Sequence, residues 1–135
     1  MNITDSFIDY LYGMANKTLP EHVLEQARLC AMDYVGCATA GARMMEERNQ
    51  QFLANIAKQG GNSTVIGQEA KTTLHNAAFL NAMNAHATEL DDGHRLGMIH
   101  LGASIFSALL AVAELENLEK TAVLQGAVVG YEAAV

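Results

Sequence analysis

Basic residues are scarce in this chain and long hydrophobic runs are absent. Its 135 residues include eight lysines and arginines against fifteen aspartates and glutamates, a formal net charge of −7. Nucleic acids and anionic membranes are bound through basic patches, so neither partner is expected. The longest apolar run, ASIFSALLAVA at 103–113, is shorter than the roughly 20 residues that cross a bilayer. The N-terminus also lacks the basic segment of a signal peptide, and we expect a cytoplasmic protein.

Cysteine is rare, and the two cysteines present are not expected to pair. Cys30 and Cys37 lie seven residues apart in a helical pattern, which separates them by roughly 10 Å along a helix axis. A disulfide requires Cα atoms within about 7 Å of each other. We therefore expect two reduced cysteines packed in the core, as free cysteines commonly are.

Small and aliphatic residues with helical spacing make up most of the chain. Half of the residues are hydrophobic and 17% are charged, which favours a compact helical domain. Apolar residues recurring every three or four positions predict an all-α fold, a bundle of about six helices, with one short extended stretch at 63–67. The predicted boundaries are a first helix capped by Thr4 or Asp5, a long helix from Pro20 to Gly41, a polar helix closed by Gly60–Gly61, a helix capped by Thr72 or Thr73, an apolar helix at 103–116 and a last helix from about 119.

The C-terminal sequence predicts that residues 1–135 form the N-terminal part of a larger helical domain. The stretch AVLQGAVVGYEAAV reaches residue 135 without a glycine stop, a basic last turn or a charged tail. A helix that is apolar around its circumference must be buried by other protein. Gly126 and Gly130 would let another helix approach closely. We therefore expect a homo-oligomer that associates through the C-terminal helices, with these glycines near the contact.

One polar segment lies between two apolar helical patterns. HATELDDGHRLGMIHLGA, residues 86–103, contains three histidines, three carboxylates and one arginine. We expect a loop of roughly 90–102 that lines a pocket, with His100 facing into it and Asp91 or Asp92 within hydrogen-bonding reach. Its glycines would allow a close backbone approach to a ligand, and the N-terminus of the following helix offers free N–H groups to an anion.

Three interpretations fit these residue types. Histidine beside a carboxylate can transfer protons near neutral pH. Histidines and carboxylates also ligate metals, but their spacing here matches no established metal motif, and no metal is expected. The third interpretation is a solvated loop whose acids cap and brace helix ends. The number of imidazoles and the tight apolar flanks favour the acid–base site.

The polar segment and two helical stretches together resemble one protein family. NAHATELDDGHRLGMIHLGASIFSALLAVAE resembles the signature region of the MmgE/PrpD family, the 2-methylcitrate dehydratase-like proteins, in which a histidine and an acidic run precede a second histidine and an apolar helix. ARLCAMDYVGCATAGAR and GAVVGYEAAV resemble further segments of that family in the same order. The resemblance implies a large all-α domain, a smaller α+β domain, and cofactor-independent enzymes that act on small polycarboxylates by dehydration, decarboxylation or epimerisation.

Residue by residue, the resemblance implies which groups act in catalysis. His100 matches the motif histidine, a general acid or base, and Asp91 and Asp92 match the family's aspartate pair. Glu89 stands where the family usually has its first aspartate, and His86 matches the histidine before the acidic run, so both are candidates for substrate binding. Either aspartate could instead brace the loop.

Three more loop residues are candidates for substrate binding. Arg95 could hold a substrate carboxylate as a bidentate fork or pair with a neighbouring aspartate. His94 could contact substrate or lie at the surface, and Ser104 could touch an anionic ligand or cap its helix. Leu101 replaces the proline that usually follows the family's motif histidine, which frees the loop backbone.

These inferences predict a lyase- or isomerase-type enzyme that moves a proton next to a carboxylate of a small polycarboxylate, without a cofactor. The polar segment contains one arginine and three histidines but also three acidic residues. This is little positive charge for binding such a substrate. Further segments would have to supply cations, so we expect these 135 residues to be inactive alone. The alternative is a non-catalytic helical module, a truncated gene product that only oligomerises.

Overall fold

In a computed structural model, which describes residues 2–135, the chain is mostly helical. Its six α-helices are α1 (Ile3–Ala15), α2 (Glu21–Met44), α3 (Glu46–Ile56), α4 (Leu74–His86), α5 (Gly102–Glu116) and α6 (Lys120–Ala134). A 3-10 turn (Ala57–Gln59) follows α3, and strands β1 (Ser63–Thr64) and β2 (Lys71–Thr72) pair antiparallel. The all-α class is confirmed, and the described residues contain the expected number of helices.

Local capping chemistry explains where several helices begin. Thr73, one of the two predicted capping residues, is the N-cap of α4. Its hydroxyl oxygen accepts a hydrogen bond from the backbone N–H of Asn76. Pro20 is the N-cap of α2. The first helix begins earlier than predicted, because Asn2 and Asp5 form a reciprocal capping box.

The sequence predicted that α2 ends at Gly41. This prediction is wrong, because Gly41 lies inside the helix. A Cβ atom at this position would lie 1.8 Å from the main-chain oxygen of Asn84 in α4. The missing side chain therefore lets the backbones of α2 and α4 touch, and α2 continues to Met44. Gly41 is needed for the close packing of α2 and α4. The association of glycine with helix C-termini does not take such packing into account.

The core forms where α4 packs between α2 and α5, with α6 closing one side. Tyr34 and Phe106 are fully buried at its centre, with ring centroids 5.6 Å apart. The Tyr34 hydroxyl lies 2.8 Å from the hydroxyl of Ser107, so its polar end is satisfied inside the core. Cys37 is buried and Cys30 half-buried, and both are unpaired, as the sequence predicted.

A side chain from α5 fixes the small ribbon of β1 and β2. Glu114 accepts hydrogen bonds from the Thr64 backbone N–H at 2.6 Å and from the Thr64 hydroxyl at 2.7 Å. Lys71 pairs with the same carboxylate at 3.0 Å. These bonds lower the pKa of Glu114, with the Thr64 hydrogen bonds as the main cause. The predicted extended stretch at 63–67 thus contains β1, and a side chain of α5 holds this strand in place.

The glycines of α6 face α5 within the same chain. A Cβ atom at Gly126 would lie 2.9 Å from Leu109, and one at Gly130 would lie 3.2 Å from Ile105. They were expected near a contact between copies, but the side chains of α5 already fill the space over them. Among residues 2–135, no helix combines the length and apolar character that crossing a membrane requires.

Candidate functional site

The polar segment forms the connection between α4 and α5, and its ends are set by His86 and Gly102. A backbone hydrogen bond of 2.8 Å from the His94 N–H to the Ile99 oxygen closes a tight turn inside it. The Gly97 N–H donates to Nδ1 of His94 at 3.0 Å. His94 is therefore engaged in holding the turn.

Asp91 is the centre of the polar cluster. Its side chain is only 1% exposed, and Nδ1 of His86 lies 3.1 Å from each of its carboxylate oxygens. Nδ1 of His100 lies 3.5 Å from the same carboxylate and 3.2 Å from the main-chain oxygen of Asp91. We call these three residues the His86–Asp91–His100 cluster.

The contact with the main chain fixes the tautomer of His100. A carbonyl oxygen can only accept a hydrogen bond, so Nδ1 of His100 carries the proton that it donates to Asp91. In the neutral ring, Nε2 is then the unprotonated nitrogen and can accept a proton from a bound molecule. A carboxylate and a carbonyl therefore orient the ring of His100.

His86 carries more positive charge than an ordinary histidine. The hydrogen bond to Asp91 is the largest of the effects that raise the pKa of His86, followed by the charge of that carboxylate. On its other side, Nε2 of His86 lies 3.5 Å from the Glu89 carboxylate. Asp91 and Glu89 thus flank His86 on two sides and favour its protonated form.

Asp92 points away from this cluster and fastens the loop to two helices. One carboxylate oxygen accepts the Gly102 N–H at 2.8 Å, and the other accepts the Tyr131 hydroxyl at 2.5 Å. Burial and the bond to Asp92 raise the pKa of the Tyr131 phenol, so it stays a donor. Asp92 therefore fastens the loop to the start of α5 and to α6, the bracing role that the sequence left open for it.

Sequence analysis missed Tyr131, although it lies in a stretch that carries the family resemblance. It is 39 residues from Asp92, and only the packing of α6 beside α5 brings the two together. The sequence did offer a signal for it. A tyrosine among the small apolar residues of α6 indicates a buried hydroxyl, and a buried hydroxyl needs a hydrogen-bond partner.

The remaining predicted residues occupy different surroundings. Ser104 donates to the main-chain oxygen of Leu101 at 3.1 Å, so it serves the start of α5. Arg95 is exposed and forms no ion pair with any residue from 2 to 135, so the alternative pairing with an aspartate is not seen. The side chain of Glu89 is 74% exposed, and the residue adopts a positive φ of 53°.

Two adjoining cavities open beside the cluster, separated by His86 and Ala82 of α4. The first, of about 450 Å³, we call the His100 cavity; its lining residues are Ala82, His86, Met98, Ile99, His100, Ala103 and Ser104. The second, of about 550 Å³, we call the Arg48 cavity; its lining residues are Met44, Met45, Arg48, Ala82, Met83, His86, Ala87 and Glu89. A ligand in the first cavity can therefore reach the base of the cluster.

The cluster also places potential metal ligands together. His86, Asp91 and His100 each offer one donor atom, and these atoms lie within 4.8 Å of one another. Their spacing along the sequence matches no metal motif, so only the fold reveals this group. The hydrogen bond from His100 Nδ1 to a carbonyl competes with metal binding at that atom, because a ligating nitrogen carries no proton.

Fold and site together define an all-helical domain with a carboxylate-oriented histidine pair at a loop between two core helices. Residues 5–135 match the MmgE/PrpD N-terminal domain, so the chain belongs to the MmgE/PrpD family. The resemblance found in the sequence is therefore confirmed, and with it a lyase-type family.

Curated relatives of this chain are fungal proteins. It is 29% identical over 136 residues to cis-aconitate decarboxylase of Aspergillus terreus, covering 96% of this chain and 28% of the relative. It is 25% identical over 116 residues to cis-aconitate decarboxylase-like protein oryM of Aspergillus oryzae (strain ATCC 42149 / RIB 40), covering 86% of this chain and 24% of that protein. The chain thus spans less than a third of these relatives' length. No solved structure matches it significantly.

Proposed function

We propose that the His86–Asp91–His100 cluster is the acid–base part of a lyase site. The observation that carries this proposal is the buried Asp91, which lies within reach of Nδ1 in both imidazoles, while His100 lines the His100 cavity. A general base must be held in one tautomer and one orientation to act on a carbon-bound proton. Asp91 does both for His100.

The substrate class follows from the relatives and the charge of the site. The relatives are named for cis-aconitate, a tricarboxylate, and a partly cationic His86 offers one carboxylate a partner. We therefore propose a small polycarboxylate such as cis-aconitate or 2-methylcitrate, acted on without a cofactor. The acidic group at Glu89 would stand at the edge of this binding site.

Of the three reactions that the family resemblance implies, dehydration and decarboxylation can both use one histidine. In a dehydration, Nε2 of His100 takes the proton from the carbon next to a carboxylate, and hydroxide leaves the neighbouring carbon. In a decarboxylation, the C–C bond breaks, its electron pair stays on the substrate carbon, and protonated His100 supplies the proton that replaces carbon dioxide. Both reactions need His100 to change protonation state near neutral pH.

The decisive experiment is the substitution His100→Ala in a longer form of the protein that turns over substrate. We expect turnover to fall roughly 10²–10⁴-fold, the usual effect of removing a positioned acid or base. His75→Ala is the matched control, because His75 is an exposed residue near the opposite end of α4. Wild-type turnover in the His100→Ala variant would refute the assignment.

The chain alone provides a second test. The relatives are more than three times as long, and we propose that their further segments complete the site with additional cations. We therefore expect the 135-residue chain to be inactive with cis-aconitate and with 2-methylcitrate. Measurable turnover of either compound by this chain would contradict that part of the proposal.

A second candidate function is a helical module that self-associates without catalysis. The observation in its favour is the exposed apolar surface of α1, where Ile3, Ile8 and Tyr12 are 87%, 57% and 72% exposed. Patches of this kind mark protein contacts. A natural stop codon directly after Val135 would favour this module over an enzyme.

A further inference from the structure

We propose that Arg48, on α3, forms the subsite that holds a second carboxylate of the substrate. This inference rests on the proposed function, since it takes the polycarboxylate bound at the cluster and assigns the partner of its distal end. The relevant structural fact is that His86 forms a wall of both the His100 cavity and the Arg48 cavity. A ligand with several carboxylates can therefore pass over His86 from one cavity to the other.

Two residues of α4 form the wall between the two cavities. Ala82 and His86 are one helical turn apart and are the two residues that both cavities share. Because Ala82 contributes only a methyl group, the imidazole of His86 is the one large side chain of this wall.

Arg48 is the only lysine or arginine that lines either cavity, and it is unpaired within the described part of the chain. Its guanidinium forms no ion pair with residues 2–135, whereas Arg28 and Lys71 are both paired. A guanidinium binds a carboxylate through two parallel hydrogen bonds. Met44, Met45 and Met83 line the same cavity, so Arg48 is an exposed cation at an otherwise largely apolar wall.

The charges along the two cavities favour one direction of a bound molecule. Glu89 lines the Arg48 cavity and lies 3.5 Å from His86. Arg48 is the permanent cation of this cavity, so it takes the distal carboxylate and leaves the reacting end beside His100. Arg95, the cation that the sequence suggested for this task, lines neither cavity.

Binding of propane-1,2,3-tricarboxylate to the 135-residue chain tests the subsite. This probe has three carboxylates but no double bond or hydroxyl, so it binds without reacting. Titrations followed by NMR of the His86 and His100 imidazoles report its affinity. We expect Arg48→Gln to weaken the affinity about tenfold, as for the loss of a charged hydrogen-bonded contact, and to leave the affinity for the monocarboxylate butyrate unchanged.

Arg43→Gln is the matched control, because Arg43 is an exposed arginine that lines neither cavity and its loss changes the net charge equally. We expect it to bind the tricarboxylate like the unaltered chain. Equal affinities in the Arg48→Gln variant and the unaltered chain would overturn the subsite, as would a loss seen with Arg95→Gln instead. A tricarboxylate that leaves both imidazoles of the unaltered chain unperturbed would likewise overturn the subsite, whereas the proposed function fails by a different result, wild-type turnover in the His100→Ala variant of the longer protein.

Discussion

The imidazole rings of His86 and His100 meet edge to face, with centroids 5.1 Å apart and an interplanar angle of 64°. They come from opposite ends of the connecting loop, and the buried carboxylate of Asp91 lies against Nδ1 of each. One carboxylate therefore orients two titratable rings. The two rings differ in their contacts, since Nδ1 of His86 lies against both oxygens of the carboxylate, whereas Nδ1 of His100 lies closer to the main-chain oxygen of Asp91.

The raised pKa of His86 should make part of the stability depend on pH. The protonated ring interacts with Asp91 only in the folded state, so this contribution is fully present below the unfolded value of about 6.5. It is lost as the pH rises through the higher pKa of the folded state. Urea unfolding between about pH 5 and pH 9 should show the unaltered chain losing its advantage over His86→Gln across that interval.

The Asp91→Asn background provides the control for this prediction. Without the carboxylate, His86→Gln should change the free energy of unfolding by the same amount at every pH in the series. A stability difference between the unaltered chain and His86→Gln that does not vary with pH would show that Asp91 does not raise the pKa of His86.

Removing the Tyr131 hydroxyl should loosen the loop. Tyr131→Phe leaves one oxygen of the half-buried Asp92 without its donor, which costs about 1.5–3 kcal/mol for a bond to a charged group. Amide hydrogen exchange in residues 87–101 should accelerate. Tyr10→Phe removes an exposed hydrogen bond to Glu132 and should cost clearly less; equal losses in the two variants would contradict the bracing role of Asp92.

Two glycines of α2 should respond oppositely to alanine. Gly41→Ala would push a methyl group into the backbone of Asn84, so we expect a loss of about 3 kcal/mol or more. Gly36→Ala meets nothing within 4 Å, and better helix propensity should stabilise the fold by up to about 1 kcal/mol. Thermal unfolding of both variants measures the contrast, and similar melting temperatures would argue against the close crossing of α2 and α4.

Protein purified without a histidine tag should carry less than one equivalent of zinc, iron or manganese. His100 Nδ1 is engaged as a hydrogen-bond donor to the Asp91 main chain, and metal binding there requires that proton to leave. Elemental analysis after dialysis against a chelator measures the content. One retained equivalent that disappears in His86→Ala would instead identify the cluster as a metal site.

Self-association is expected at micromolar concentration. The exposed apolar side chains of α1 and of the C-terminal half of α5, such as Ile8 and Leu115 at 57% and 60% exposure, provide a surface for it. Sedimentation velocity should detect species larger than the 14.5 kDa chain, and Ile8→Gln should reduce them. A single monomeric species would contradict this prediction.

The sequence by itself determined the helices and the location of the polar loop. Apolar spacing and capping residues are local signals, read within a few turns of helix, and Thr73 and Pro20 lie at helix starts as those signals require. The density of histidines and carboxylates between apolar segments likewise marked the loop without any knowledge of packing.

Only the tertiary structure decided how the site is assembled. Asp92 meets Tyr131 and Arg48 shares a cavity with His86 because separate helices pack side by side. The role of Gly41 follows from the same crossing of α2 and α4. Sequence periodicity shows which face of a helix is apolar but not which neighbour covers it, so contacts between residues far apart in the chain depend on the packing of the whole bundle.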